Sequence, residues 1–488
     1  MGKLAAILNK KGEDATQTVA TMLKIMSQEA TGTYGIASPS ILEIKDRTDS
    51  LRDLNLGSHI IIGHLFSKTL NQDRPQPIQL HNAALIFEGR TYPPPTGKSD
   101  AETIAERLKQ PTEAKIKTLI KNVEGDFALV VAGPERLIAT RDRFGARPLY
   151  YGENTCFVAL ASERKALWKI GIENPATFPP RYVAVANTNG FTFRLAEEAR
   201  HWKPTSQDMQ TAANKLLELL RRSIRVRTRG MEKIAVAFSG GLDSSLIALL
   251  AKQTGTQVHL IHASLHDQPE TEHAIQAAKQ LDLPIHVHEY TKEDLEQTLS
   301  SVLWVVEEAD PIKASIAIPM YWTAKKAAEM KLKIMLAGQC ADELFGGYKR
   351  YVDAYTRFGG EQASKMMQDD IARLHEANLE RDVKICASCG VEVRLPFLAR
   401  EIVEFATDAS IELKMEPKPD TLRKLVLRQI AKKLGLPESV LGRPKKAIQY
   451  ATGVDKALRK LARSEQLSTR EYLQKLLTSI RNRKIENE

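Results

Sequence analysis

The chain has 488 residues, of which 43% are hydrophobic and 27% charged, and its formal net charge is +10. This length predicts several domains with sizeable cores, while no apolar stretch is long enough for a bilayer-spanning helix and no signal peptide is recognisable, which argues against a membrane protein. The four cysteines are too few for a disulfide scaffold, and we therefore expect a cytoplasmic protein.

The part of the chain up to residue 195 contains several short runs rich in β-branched and aromatic residues, with turn residues between them. Such runs are typical of antiparallel strands. Helical patterns cover Thr16–Glu29 and Ser99–Gln110, and in the second of these Ser99 and Glu102 have the spacing of a capping box. We therefore predict an α+β domain with antiparallel sheets over residues 1–200.

A different pattern begins after residue 208. A helix is predicted over Met209–Arg222, and strand and helix patterns then alternate as far as "KIMLAG", with helices over Lys292–Val306 and near Pro319–Met330. Such alternation predicts a parallel sheet covered by helices. The residues from Ala341 onward are mostly helical in pattern. We therefore expect a second, α/β domain over residues 208–488 with a helical C-terminal part.

A loop of small and hydroxyl residues, Ser239–Ser245 in "AFSGGLDSSL", follows the first strand of this second domain. In open α/β sheets, ligands bind beyond the carboxyl ends of the strands. Glycines leave room for a ligand, and free backbone N–H groups at a helix start attract an anion. Asp243 would repel phosphate unless a Mg²⁺ ion lies between them. The loop therefore predicts a site for a magnesium-bound phosphate chain.

The loop resembles the pyrophosphate-binding loop (PP-loop) of ATP pyrophosphatases, which cleave ATP to AMP and pyrophosphate. Within that group, the second half of the chain is similar to the synthetase domain of the asparagine synthase family. Further segments carry the resemblance in the same order along the chain: "LAGQCADELFGGY", "SCGVEVRLPFLAREIVEFA", "TLRKLVLR" and "LGRPKKA". The resemblance implies a PP-loop α/β fold and an AMP-forming amide ligase with ATP and Mg²⁺ as its cofactors.

The resemblance assigns roles to individual positions. ATP would be bound by a set of nine residues, namely Ser239, Gly240, Gly241, Asp243, Ser244, Ser245, Ala263, Ala337 and Gly338. Asp243 and Asp342 would hold Mg²⁺, and Lys445 would stabilise the charge that develops on the α-phosphate. A substrate carboxylate, most simply aspartate, would be adenylated, and ammonia would then displace AMP to leave an amide. Many relatives carry Glu where this chain has Gln339, which is expected to orient a substrate through hydrogen bonds and cannot act as a base.

The first half resembles the class II glutamine amidotransferase domain that precedes the synthetase domain in this family. The resemblance implies a four-layer fold for this half. The nucleophilic Cys position of that domain is Gly2 here, the oxyanion Asn position is Glu88, and the Arg that clamps the glutamine carboxylate falls at Phe66. Gly89 and Asp100 keep the residue types of the family. Without a nucleophile, glutamine hydrolysis is not expected. The partners implied are a small carboxylate acceptor, free ammonia or a separate glutaminase, and a second copy in a homodimer.

Cys340, Cys386 and Cys389 leave two other functions open. Three cysteines could hold an iron–sulfur cluster or carry sulfur, and the chain is basic, so ATP-dependent sulfur or nitrogen transfer to RNA is one alternative. We do not favour it, because buried thiols in a cytosolic protein are more common. The other alternative is a nucleotide-binding scaffold without catalytic activity, which would bind ATP and release no pyrophosphate.

Overall fold

The computed structural model describes residues 2–27, 31–47, 49–198, 207–418 and 421–486. The chain forms two compact units. The first comprises Met1–Ala199 together with Thr478–Glu488, and the second comprises Arg200–Leu477. The sequence analysis had assigned the last residues of the chain to the second domain. In the structure they lie with the first unit, where Lys169 Nζ donates to the carbonyl oxygen of Ile485 at 2.6 Å.

In the described part of the chain, the first unit contains two antiparallel sheets and four α-helices that lie wholly within it. The strands are β1 (Lys3–Asn9), β2 (Thr31–Ala37), β3 (Leu42–Arg47), β4 (Ile60–Phe66), β5 (Ile78–Leu80), β6 (Ala83–Thr91), β7 (Gly125–Ala132), β8 (Leu137–Arg141), β9 (Tyr150–Glu153), β10 (Phe157–Ala161), β11 (Ala176–Thr177), β12 (Tyr182–Asn187) and β13 (Gly190–Leu195). The helices are α1 (Thr16–Met26), α2 (Asp100–Arg107), α3 (Glu113–Asn122) and α4 (Arg164–Lys169). The strand orders are β11-β9-β10-β1-β4-β2-β3 and β13-β12-β8-β7-β6-β5.

These elements stack as helices, sheet, sheet and helices. Successive side chains of a strand point to opposite faces. Ala84 and Ile86 of β6 therefore pack between the two sheets, whereas Leu85 and Phe87 pack on the side of α2 and α3. Helices α1 and α4 cover the other sheet. The α+β class with four layers is thus confirmed for this unit.

The second unit is built on a parallel sheet. Its strands are β14 (Lys233–Ala237), β15 (Gln257–Leu265), β16 (Ile285–Tyr290), β17 (Ile334–Leu336) and β18 (Glu392–Arg394). Its helices are α5 (Met209–Thr228), α6 (Leu242–Lys252), α7 (Pro269–Gln280), α8 (Lys292–Val306), α9 (Pro311–Glu329), α10 (Ala341–Phe345), α11 (Lys349–Phe358), α12 (Gly360–Ala372), α13 (Glu380–Ser388), α14 (Arg400–Asp408), α15 (Leu425–Lys433), α16 (Glu438–Leu441), α17 (Ile448–Ala451) and α18 (Val454–Ser464). A last helix, α19 (Thr469–Glu486), ends the described chain.

All strand pairs of this sheet are parallel, in the order β16-β15-β14-β17-β18. The central strand β14 is buried on both faces at Ile234, Ala235 and Val236, as expected when helices cover both sides of a parallel sheet. The predicted α/β class with a helical C-terminal part is confirmed. Among the described residues, no helix combines the length and the apolar composition that a bilayer span needs.

Several predicted helix bounds need correction. Helix α1 ends at Met26, because Ser27 is already extended, and residues 28 and 29 of the predicted helix lie outside the described residues. Helix α5 continues to Thr228 and so includes the basic run that follows Arg222. Helix α9 begins at Pro311, with Asp310 as its N-cap, and Pro319 lies inside it.

Candidate functional site

The loop Ser239–Ser245 lies at the carboxyl edge of the parallel sheet, between the end of β14 at Ala237 and the first turn of α6. Gly240 has φ +69°, and a Cβ atom there would lie 2.9 Å from both Ala274 Cα and the ring of His273. A side chain at this position would therefore be strained and crowded. The glycine is required because helix α7 packs directly behind the loop.

Two histidines hold the loop from behind through its carbonyl groups. His262 Nδ1 lies 3.0 Å from the Phe238 carbonyl oxygen, and His273 Nε2 lies 3.0 Å from that of Gly240. In front, the loop is only loosely closed on itself, because the Gly241 N–H reaches Ser239 Oγ at 3.3 Å. Ser239 is exposed. The backbone N–H groups therefore lie at an open edge, where an anion can replace weak internal hydrogen bonds.

Four charged side chains from distant parts of the chain meet beside this loop. Lys424 Nζ lies 2.5 Å from Asp243 Oδ2 and 2.7 Å from Asp342 Oδ1. Lys445 Nζ lies 2.8 Å from Asp342 Oδ2. Two predicted metal ligands, Asp243 and Asp342, thus flank one cationic atom. The predicted catalytic lysine contacts the second of these carboxylates.

The lysines control the charge of Asp342. Burial by itself would raise the pKa of Asp342, but the charges and hydrogen bonds of Lys424 and Lys445 lower that pKa well below its usual range. Although burial opposes its charge, the carboxylates of Asp342 and Asp243 raise the pKa of Lys445. Asp342 and Lys445 are therefore both ionised near neutral pH.

Lys424 is a site residue that the sequence analysis did not identify. It is almost completely buried and has φ +60°, a backbone conformation that is uncommon for residues other than glycine. It lies immediately before α15 in the quoted segment "TLRKLVLR". A lysine inside a segment already matched to the family was the available signal, but its ion pairs join residues too far apart in sequence to be predicted.

The second predicted ATP-site segment follows β17, the strand beside β14. A Cβ atom at Gly338 would lie 3.1 Å from Asp243 Cβ, so the two loops touch. Ala337 is buried and Gln339 is half-buried on the same segment, and Ala263 is buried in the last part of the neighbouring strand β15. The structure thus gathers the predicted adenosine and phosphate positions at the carboxyl ends of three adjacent strands.

Glu343 is a further acidic group of this segment that sequence reasoning missed. Its Oε1 atom accepts hydrogen bonds from Tyr348 Oη at 2.6 Å and from Asn378 Nδ2 at 2.7 Å. Burial, and then the charge of Asp342, raise the pKa of Glu343. The tyrosine and the asparagine therefore fix the orientation of a carboxyl group next to the ion-pair cluster.

The cysteines do not assemble into a metal site in the described part of the chain. No group of three His, Cys, Asp or Glu side chains among the described residues is placed to hold a metal ion. Burial, and then the nearby charge of Asp382, raise the pKa of the Cys386 thiol well above its usual value. Burial also raises the pKa of Cys389 to about 11. Cys386 and Cys389 are thus thiols near neutral pH when no metal is bound, and thiols are weaker nucleophiles than thiolates.

By the family resemblance, Gly2 of the first unit is the expected position of the amidotransferase nucleophile. A Cβ atom at Gly2 would lie 2.3 Å from His64 Nε2 and 2.6 Å from Glu88 Oε2. These two side chains are paired with each other at 3.0 Å. Burial opposes the charge of Glu88, but the hydrogen bond and charge of His64 lower its pKa. The space that a nucleophilic side chain would need is therefore filled by the hydrogen-bonded side chains of His64 and Glu88.

The two positions of that site that keep the family residue type have structural roles here. Gly89 has φ +140°, and a Cβ atom there would lie 2.0 Å from the Asp126 carbonyl oxygen on the paired strand β7. Asp100 accepts hydrogen bonds from the Thr91 backbone N–H at 2.9 Å and from Thr91 Oγ1 at 2.6 Å. Arg90 Nη1 lies 3.2 Å from the other oxygen of Asp100. Phe66 is the last residue of β4.

Known proteins resemble both halves of the chain. The model of the asparagine synthase family matches residues 215–362 and 358–481, and a glutamine amidotransferase domain matches residues 76–169. A Methanocaldococcus jannaschii protein described as asparagine synthetase [glutamine-hydrolyzing] 1 is 31% identical over 70% of this chain and 72% of its own length.

Eukaryotic relatives are similar over a smaller share of their own length. Asparagine synthetase [glutamine-hydrolyzing] 2 of Arabidopsis thaliana is 29% identical over 73% of this chain and 62% of its own. Asparagine synthetase [glutamine-hydrolyzing] 1 of Saccharomyces cerevisiae is 27% identical over 68% of this chain and 65% of its own length. The chain therefore spans less than two thirds of these two relatives.

Among solved structures, a glutamine phosphoribosylpyrophosphate amidotransferase from B. subtilis shares 16% identity over 58% of this chain and 65% of its own, with a TM-score of 0.34. That score is too low to define a relationship. The relationship follows instead from the family model, which covers more than half of the chain, and from the archaeal relative. The chain therefore belongs to the asparagine synthase family and is an ATP-dependent carbon–nitrogen ligase of that family.

Proposed function

We propose that this enzyme adenylates a small carboxylate, most simply aspartate, with ATP and then transfers ammonia to it, releasing AMP and forming the amide. The observation that carries the proposal is the ion-pair cluster of Asp243, Asp342, Lys424 and Lys445 beside an open glycine–serine loop. It combines anion-binding N–H groups with carboxylates and lysines at one edge of a parallel sheet. These are the groups that bind and stabilise a nucleoside triphosphate under attack.

Asp243 and Asp342 fit a magnesium ion by their chemistry. Both present carboxylate oxygens, the ligands that Mg²⁺ prefers, and both already bind one shared cation, Lys424 Nζ. Asp243 Oδ1 is buried and has no hydrogen-bond partner among the described residues. When bound, Mg²⁺ would neutralise phosphate charge and keep Asp243 from repelling the substrate.

The remaining groups of the chain bind and orient. The N–H groups from Ser239 to Gly241 and the hydroxyl groups of Ser244 and Ser245 would hold the β- and γ-phosphates. Lys445 would remain protonated and stabilise the negative charge that grows on the α-phosphate as the carboxylate attacks. Lys424 would move its charge from the two carboxylates to the phosphates when the nucleotide arrives, so that the site is neutralised in both states.

Gln339 lies beside Gly338 on the loop that contacts Asp243, which supports a role in orienting the acceptor. As an amide it offers both a donor and an acceptor group but cannot take a proton. We therefore assign it to the recognition of the acceptor and not to the deprotonation of ammonia.

We further propose that the first unit does not hydrolyse glutamine. The support is the absence of a side chain at Gly2 and the occupation of its surroundings by His64 and Glu88. Ammonia would then come from solution or from a separate glutaminase. A cytoplasmic site of action is supported by the four cysteines, none of which is in a disulfide.

The test is pyrophosphate release with ATP and Mg²⁺ across a panel of carboxylates, with either ammonium or glutamine as the nitrogen source. We expect release with aspartate and ammonium, together with AMP and asparagine in equal amounts. Release with another carboxylate in place of aspartate would identify that carboxylate as the acceptor. ATP binding without pyrophosphate release on any carboxylate would contradict the proposal and favour a scaffold.

A further inference from the structure

The first turn of α7 contacts two parts of the candidate site that are far apart in sequence. His273 of this turn reaches the Gly240 carbonyl of the PP-loop at 3.0 Å. Thr271 Oγ1 lies 2.9 Å from Ser264 Oγ and 3.4 Å from His262 Nε2, and His262 is the second histidine behind the loop. The turn is therefore tied to the sheet edge on which the phosphates would lie.

On its other side, the same turn binds the basic segment Arg443–Lys446 through one carboxylate. Glu270 forms an ion pair with Arg443 through Oε2 and with Lys446 Nζ through Oε1 at 2.8 Å. The Glu270 side chain is only 12% exposed, and that of Arg443 is 21% exposed. An ion pair that is largely removed from water is held more firmly than an exposed one.

Lys445 lies between these two anchored residues and points the other way, toward Asp342. The backbone of the segment has an independent support, because Arg428 Nη2 of α15 donates to the Arg443 carbonyl oxygen at 2.9 Å. Arg428 holds the start of the segment, and Arg423 Nη2 reaches the Lys445 carbonyl oxygen only at a long distance of 3.5 Å. Glu270 holds side chains on both sides of Lys445 and so determines how the lysine is presented.

We propose that Glu270 is a positioning residue, which clamps the Arg443–Lys446 segment onto the first turn of α7 and thereby sets the distance between Lys445 and the phosphates on the PP-loop. The inference rests on the proposed function, since it assumes that the loop binds ATP. It adds that one helix turn aligns the anion-binding loop with the catalytic lysine. In this turn, His273 fixes the loop, and Glu270 fixes the segment that carries the lysine.

The clamp also has an electrostatic role. Arg443 and Lys446 flank Lys445, and without the Glu270 carboxylate both would lose their common anion, while Lys445 kept its pair with Asp342. Their mutual repulsion would favour a more extended, mobile segment. A displacement of about 1 Å of a charge-stabilising group can lower a rate by about a hundredfold.

The test compares Glu270→Gln with Glu272→Gln, a matched control on the same turn. The exposed Glu272 carboxylate accepts a hydrogen bond from Gln276 of its own helix and, among the described residues, from no other side chain. Limited trypsin digestion without ATP measures the anchoring, with cleavage after Lys445 and Lys446 identified by mass spectrometry. We expect Glu270→Gln to be cut about tenfold faster there, and Glu272→Gln to be cut like the wild type. Unchanged cleavage of Glu270→Gln would overturn the clamp.

Steady-state pyrophosphate release measures the positioning. We expect Glu270→Gln to lower kcat about ten- to a hundredfold with the KM of the acceptor unchanged. Faster proteolysis with an unchanged kcat would overturn the positioning role. If the wild-type enzyme releases no pyrophosphate, the proposed function fails. The proteolysis result still decides whether Glu270 anchors the Arg443–Lys446 segment.

A double-mutant cycle separates this role from general destabilisation. If Glu270 acts through Arg443 and Lys446, the change Glu270→Gln should cost little in a background of Arg443→Gln and Lys446→Gln, since the partners are already gone. Fully additive losses in kcat would show that Glu270 acts elsewhere and would overturn the inference.

Discussion

The ammonium nitrogen of Lys424 lies 2.5 Å from Asp243 Oδ2, in a pair that joins the start of α15 to the start of α6. The same nitrogen also contacts Asp342. A single buried lysine therefore compensates two carboxylates that would otherwise repel each other across the mouth of the PP-loop. Any cation that enters between them has to displace it.

We expect Lys424→Met to lower stability when Mg²⁺ is absent, since losing one partner of a buried ion pair costs about 3–5 kcal/mol. Millimolar Mg²⁺ should raise the melting temperature of this variant more than that of the wild type, because the metal can take the place of the lysine. Thermal unfolding with and without Mg²⁺ measures both effects. The control is Lys432→Met, at an exposed lysine of α15. If Mg²⁺ raised the melting temperature equally in both variants and the wild type, the metal would not occupy the position of the Lys424 ammonium group.

The change Asp243→Asn should lower pyrophosphate release at least about a hundredfold, because it removes the negative charge that would hold Mg²⁺ beside the phosphates. Release is measured at saturating ATP with a range of Mg²⁺ concentrations. The matched control is Asp282→Asn, since the Asp282 side chain is 97% exposed. Full activity of Asp243→Asn would mean that the metal is held by other groups.

Gly2→Cys should not create glutamine-dependent activity, although it restores the residue type of the amidotransferase nucleophile. The new Cβ atom would lie 2.3 Å from His64 Nε2, so the His64–Glu88 pair would have to move, and stability should fall. The assay compares glutamine with ammonium as nitrogen source, and the control is Gly133→Cys, where the nearest atom is 3.5 Å away. Glutamine-supported pyrophosphate release by the wild type would refute our reading of the first unit.

Glu163 should make the stability of the first unit pH-dependent. Burial would raise its pKa, but Lys165 and Lys3 lower it to about 2, from an ordinary value near 4.5. Because the pKa is lower in the folded state, the stabilisation is complete above about pH 5 and is lost as the pH falls toward 2. The loss of stability caused by Glu163→Gln should therefore be largest at neutral pH.

Melting temperatures of Glu163→Gln and the wild type between pH 7 and pH 3.5 test this dependence. The control is Glu153→Gln, because Glu153 is 47% exposed in its pair with Lys10 and exposed pairs contribute little. A difference between Glu163→Gln and the wild type that is independent of pH would rule out the assigned cause.

The thiols provide a test of the sulfur-transfer alternative. Since burial raises the pKa of Cys386 and Cys389, iodoacetamide at pH 7.5 should label both slowly, and the half-buried Cys156 faster. Protein purified without oxygen should contain no stoichiometric iron or zinc. A bound metal, or rapid labelling of Cys386, would favour sulfur chemistry at this site.

Elements with local signals were predictable from the sequence. Helix α8 has the predicted bounds Lys292–Val306, because Thr291 and Asp294 form a capping box at its start and Glu307 ends it in a left-handed conformation. The capping box of Ser99 and Glu102 is likewise present. For α9, by contrast, the pattern predicts a start near Pro319, whereas the helix begins at Pro311 and contains this proline more than two turns later. Tertiary packing overrode the local preference there.

In the candidate site, too, only the part with a local sequence signal was predictable. The PP-loop is one continuous segment whose residue types indicate an anion, and its position after β14 follows from the strand–helix alternation. Lys424 and Glu270 could not be found in this way, because each contacts a residue more than 170 positions away and is one lysine or glutamate among many. Only the folded structure shows which of the many lysines and glutamates share a carboxylate or a cation.

Asp100 shows that a residue of the predicted glutamine site can also be needed by the fold. Its carboxylate fastens Thr91 at the end of β6 to the start of α2, a contact that does not depend on any substrate. The fold therefore needs this aspartate whether or not the unit hydrolyses glutamine. An aspartate at this position thus indicates an intact scaffold and does not distinguish an active glutaminase from an inactive one.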